Sequence, residues 1–159
     1  MSYVFNIPFR DNQKLKRVIS LVKRDVKLQT LWRCANTMAI DRLGYTDHGP
    51  THVKIVANSA LRLLRILIDN KVIPSIVRNY GMKNEDAEVV VVLGSIFHDL
   101  GMVVTRDGHE LYAQVLRQQF GIGYASRRGV PGRHRDPYHI RGAEGINCDN
   151  RHNAGVYAA

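Results

Sequence analysis

An imidazole and a carboxylate stand side by side, as His98-Asp99, at the end of an apolar stretch over residues 89–97, and His48 and His52 stand four apart at the head of another. Titratable groups emerging from a core need partners to offset their desolvation. A metal ion is one such partner, and imidazole with carboxylate suits a borderline or hard divalent ion such as Mn, Fe, Zn or Mg. Two adjacent residues supply too few ligands, so a second helix must contribute, and His52 is the best placed; His48 joins if the turn before it is already helical. The plain alternative is a set of capping and core-edge residues linked by hydrogen bonds.

The elements that must carry these side chains read as helices throughout, which predicts an all-α fold. The first is expected over 12–26, with Leu15, Val18, Ile19, Val22 and Val26 on one face. The second is expected over 30–42, with Cys34 as a small core residue and Gly44 as the stop. The polar turn 45–52 leads, with Pro50 at a first helical position, into a long helix to Asp69. Its expected stripe is Val53, Val56, Ala57, Ala60, Leu61, Leu64, Leu67 and Ile68, with Lys54, Asn58, Arg62, Arg65 and Asp69 outward. After a connection through Pro74 and Gly81, Asn84 is expected to cap a central buried helix whose first turn holds Glu85, Asp86 and Glu88. A last helix is expected from Asp107 as cap, with Glu110 three residues on, to Phe120.

The chain has 159 residues, 45% hydrophobic and 23% charged, which suits one globular domain. No apolar run reaches the ~18 residues of a membrane span and no secretory signal opens the chain, so a cytoplasmic protein with no membrane partner is expected. Cys34 and Cys148 form no disulfide framework. A formal charge of +9 would suit nucleic acid only if the basic residues shared a face. Lys14, Lys16, Arg17, Lys23, Arg24 and Lys27 read instead as a solvated helix surface.

Composition divides the chain at residue 120. Residues 121–159 hold seven of the 13 glycines and six arginines but no leucine or lysine, too little apolar surface for a core, so a disordered or irregular tail is expected. The abrupt change raises the possibility of a frame-shifted or non-native segment following a truncated helical domain over 1–120.

His52 heading an amphipathic helix, an aliphatic helix ending in FHDLGM (97–102) and the pair His109-Glu110 together resemble the HD-domain metal-dependent phosphohydrolases. The likeness covers roughly residues 30–120. The segments DRLGYTDHGPTHVKIVANSAL and EDAEVVVVLGSIFHDLGM are similar in style to small stand-alone archaeal and bacterial HD proteins. The resemblance implies an HD-domain-like helical bundle holding a divalent ion on His52, His98 and Asp99, with His109 as the added ligand of two-metal members. It also implies hydrolysis of a nucleotide or other small phosphoester. Asp99 and His109 would act at the reacting centre, His48 or Asp107 would move protons, and Arg106 or Lys54 would meet the anionic substrate. The family's closing aspartate from a later helix has no match; Asp136 and Asp149 lie in the tail with His134, and so does a weaker zinc set of His139, Cys148 and His152. Three readings stay open: a phosphohydrolase, a non-catalytic metal- or nucleotide-binding helical module, and a nucleic-acid-binding protein. Homo-oligomerisation through apolar surface left uncovered on the last two helices is a further expectation.

Overall fold

The computed structural model describes residues 5–126, with side chains to residue 118. Asp136, Asp149 and the tail's His and Cys residues lie outside the described residues, as does the expected disorder beyond 126. Among the described residues all regular structure is helical, and no helix is long and apolar enough to cross a membrane.

Asn12 starts α1 (Gln13–Arg24) by accepting the Leu15 N–H at 2.9 Å. Leu15, Val18, Ile19 and Val22 then fall on the buried face, as their spacing requires. The helix stops sooner than expected. Asp25 ends α1 and at once caps α2 (Val26–Thr37), accepting from Leu28 N–H at 3.0 Å. Val26, expected on the buried face of the first helix, therefore opens the second and is 69% exposed. The second helix begins four residues before the expected Thr30 and continues as a π-helical turn, Met38–Arg42, before Gly44 leaves it at φ +65°. Cys34, expected in the core, is exposed, because Ala35 and Ala39 take the inward positions. Trp32 supplies the bulk instead: it is buried, stacks on Phe5 and donates its indole N–H to the Ile96 carbonyl at 3.0 Å.

The long helix α3 (Pro50–Asp69) has Pro50 in its first turn as expected, but its buried line is only Val53, Ala57 and Leu61, and Leu67 is exposed. A short helix α4 (Ser75–Tyr80), too brief to show periodicity, occupies the connection after Pro74 and ends at Gly81 in the left-handed region. The central helix α5 (Asn84–Phe97) starts one residue off the expected cap: Lys83 precedes it, and Asp86 accepts the Lys83 N–H at 3.0 Å. Lys14, expected to be solvated, reaches the same buried carboxylate. α5 packs against α1, α3, α4 and α6, so it is not left uncovered. A 3-10 turn, Leu100–Val103, follows.

The last helix, α6, runs His109–Ser126. Asp107 does not head it; the turn closes at Gly108, φ +73°, and His109 is the first helical residue. Its far end passes the expected limit at 120, so residues 121–126 are helix rather than irregular tail. An established helix gains one hydrogen bond per added residue, which offsets the cost of Gly121 and Gly123, each about 1 kcal/mol. Leu111, Tyr112 and Val115 on α6 remain exposed.

Glu88 ties these elements together. Its carboxylate takes Arg65 Nε at 2.7 Å and Nη2 at 3.1 Å as a fork, and Asn12 Nδ2 at 2.8 Å. Arg65, expected to face outward, also donates to the Pro8 carbonyl at 2.9 Å, joining the N-terminal segment, α3 and α5. Burial alone pushes the Glu88 carboxyl up, but the hydrogen bonds from Arg65 and Asn12, with the Arg65 and Arg10 charges, outweigh it and hold the group below its ordinary 4.5. A depressed folded-state value adds stability that is present above the unfolded value and lost as pH falls through the folded one. Glu88→Gln should therefore lower unfolding free energy by about 1–3 kcal/mol at neutral pH. In urea melts the gap should close as the medium is acidified below roughly pH 4; a gap of constant size would show that the ion pair is not its source.

Candidate metal centre

The site forms where α5 ends. His98 caps the helix, and the chain turns at Asp99 (φ −100°, ψ 6°) into the 3-10 turn, whose Leu100, Gly101 and Met102 are buried. That turn drags the Asp99 carboxylate inward, to 9% side-chain exposure. His52 approaches from the first turn of α3, the helix packed on α5. His109 comes from the first turn of α6.

Gly101 sets the approach of α6. A Cβ there would run into the His109 carbonyl and stand 2.7 Å from the Ala113 nitrogen, so only glycine lets the turn lie against the first turn of α6. The loop carrying His48 is pinned in the same manner: Asn36 accepts the His48 N–H at 3.0 Å, Asp47 accepts the Gly49 N–H at 2.7 Å, and a Cβ on Gly49 would meet Asn36 Cγ at 2.9 Å.

Three atoms converge. Asp99 Oδ2 lies 2.8 Å from His98 Nε2 and 3.2 Å from His52 Nε2, and the two nitrogens are 3.4 Å apart. Atoms held at about 2.1 Å by one tetrahedral ion stand ~3.4 Å apart, so this triangle is the size of a ligand set. The buried Oδ2 has no partner of hydrogen-bond geometry despite both contacts, and such an orphan is costly unless something else compensates it. The far sides of the rings fix the proton positions. His98 Nδ1 lies 2.9 Å from the Ser95 carbonyl and His109 Nδ1 2.7 Å from that of Arg106. A carbonyl only accepts, so in each ring Nδ1 carries a proton and donates, leaving Nε2 as the ligand atom.

A neutral Nε2 lone pair facing a carboxylate is repulsive, so the site calls for a cation. Without a metal a proton serves. Burial opposes it, but the close approach of Asp99, the Asp99 charge and the Ser95 carbonyl together raise the His98 imidazole above its ordinary value. Burial likewise pushes Asp99 up, and the close approach of His98 and the charges of His98, His48 and His52 bring it net below its ordinary value.

His52, His98 and Asp99 thus come together as expected, their ligand atoms all within 4.8 Å of one another. His109 is the next neighbour, Nε2 at 3.7 Å from Asp99 Oδ1. His48 is not a ligand here; its ring centre is 5.3 Å from that of His52, and its Nδ1 meets the Thr46 carbonyl at 2.7 Å. Arg106 stacks on Tyr45, its guanidinium carbon 4.3 Å from the ring centre. Tyr45 and Asn36 were given no role by the sequence; Gly101 and Met102 lay inside the FHDLGM segment (97–102) but were given none of their own.

No protein-family model matches the chain. It is 41% identical over 101 residues to an uncharacterized protein of Methanocaldococcus jannaschii, an alignment covering 64% of this chain and 39% of that protein. The chain therefore spans about two fifths of the relative it matches. No solved structure matches.

Two outcomes are expected. Adding Mn or Zn to metal-free protein should raise Tm, by the equivalent of about 2.7 kcal/mol at a hundredfold excess over Kd. His52→Ala and Asp99→Asn should abolish the rise while Cys34→Ser keeps it; equal shifts in all four proteins would place binding elsewhere. Gly101→Ala should push α6 outward and cut metal affinity by about 10-fold or more, as loss of supporting structure does at metal sites, measured by competition with a chelating dye.

Proposed function

We propose that the protein is a metal-dependent phosphohydrolase of the HD type, cleaving a nucleotide or other small phosphoester. The supporting observation is the convergence of His52 Nε2, His98 Nε2 and the orphaned, buried Asp99 Oδ2 on one point, on the residues that carry the HD resemblance. These three would hold a divalent ion, which supplies an acidified water and a Lewis acid for a phosphoryl oxygen when bound.

The chain's own residues supply the rest. Hydrolysis forms a bond from water oxygen to phosphorus, breaks the ester P–O bond, and moves one proton from the water to the departing oxygen. His48 keeps Nε2 open for that proton because Nδ1 is engaged with the Thr46 carbonyl. Asp99 stays ionised beside the imidazoles and fixes them. His109, near Asp99 Oδ1, orients the phosphoryl group or shares in a second ion.

One observation favours a second reading, a metal- or nucleotide-binding module without turnover: the ligand set among the described residues has three members. Loading the full chain with Mn, Zn or Fe and assaying phosphate release from a panel of phosphoesters separates the two. The hydrolase reading predicts metal-dependent release that falls at least ~100-fold in Asp99→Ala, in line with loss of a metal-site group. Stoichiometric metal uptake with no release from any ester would select the binding module.

A further inference from the structure

Beside the three ligands lies an open pocket of about 470 Å³, lined by Tyr45, Thr46, His48, Met102, Arg106 and His109 among others. His48 and His109 line it and also neighbour the three ligand residues, so the pocket adjoins the candidate metal centre. None of the residues lining it is a carboxylate. Arg106 is held there in a particular manner: its guanidinium carbon stands over Tyr45, 4.3 Å from the ring centre, and the guanidinium makes no hydrogen bond or ion pair to the described residues. The cation–π contact holds the side chain over the ring and leaves its N–H groups for a ligand. The same short turn positions the imidazole, since the Arg106 carbonyl lies 2.7 Å from His109 Nδ1.

We infer that this pocket binds the terminal phosphoryl group of a phosphomonoester, with the Arg106 fork on two of its oxygens. The inference rests on the hydrolase reading above and narrows its substrate class. A monoester presents three terminal oxygens: two pair with a guanidinium in the planar, bidentate fashion, and the third remains for the histidine side. A diester has only two non-bridging oxygens, so the fork and the metal centre would compete for them. The esterified group rests against Met102 and the exposed part of Tyr45, which form the apolar wall of the pocket.

The test uses the full, metal-loaded chain with p-nitrophenyl phosphate, bis(p-nitrophenyl) phosphate and inorganic phosphate. The monoester should be preferred over the diester in kcat/KM. Arg106→Gln should raise KM for the monoester and the inhibition constant of inorganic phosphate in parallel, each at least tenfold and by more than kcat falls. Arg106→Lys should recover only part, because the charge returns without the fork. Metal content, measured on each variant, should not change. A KM and an inhibition constant within twofold of the parent in Arg106→Gln, or a diester turned over as well as the monoester, overturns the inference. If the loaded parent cleaves neither these nor any other ester of the panel, the hydrolase reading fails by itself, and phosphorus NMR of inorganic phosphate decides the pocket. Broadening that Arg106→Gln removes supports the anion site, and its absence in the parent refutes it.

Discussion

Asp99 is the constraint around which the molecule is arranged. Its carboxylate is nine-tenths buried, follows directly on an apolar helix, and faces imidazole nitrogens from two helices and from the end of its own. In water such a group would be hydrated at no cost; here its negative charge must be matched by a proton on His98 or by a metal. The backbone carbonyls of Ser95 and Arg106 serve either solution, because they hold the Nδ1 protons of His98 and His109 and leave Nε2 of each ring toward the acid. The arrangement could hold a cation, with its imidazoles oriented from behind.

Rigidity at this point comes from packing well away from it. The Trp32 indole ties α2 to the last turn of α5 through the Ile96 carbonyl, two residues before His98. The Glu88–Arg65–Asn12 network fixes the opposite end of α5 to α3 and to the N-terminal segment. Between them, Val53, Ala57 and Leu61 of α3 join Val89, Val92, Leu93 and Ile96 of α5 in one core, which sets His52 opposite His98. The His-Asp doublet is therefore placed by burial along the whole of two helices, and a ligand set within a few tenths of an ångström needs such support.

Much of this was legible in the sequence, and the reasons are specific. Periodicity gave α1, α3 and α5 because each carries a long apolar face, and the His98-Asp99 pair stood out because it ends the most apolar of them. Boundaries were less legible. Asp25 serves both α1 and α2, a double role that periodicity alone does not show, and so Val26 and Cys34 were placed inside when both are exposed. Arg65 read as solvent-facing because its partner Glu88 is 23 residues away and pairs only once α3 and α5 pack. The pocket wall was invisible for a related reason: Tyr45 and Arg106 lie on two separate turns, and only the fold stacks them.

The central claim is that His52, His98 and Asp99 share one cation, and anomalous X-ray scattering from crystals of protein purified with its own metal tests it most directly. The account predicts a single peak about 2.0–2.2 Å from each of the three atoms, with Asp99 Oδ2 no longer unpartnered. A map without that peak, in which His98 simply donates a proton to Asp99 while stoichiometric metal sits elsewhere or is absent, would contradict it.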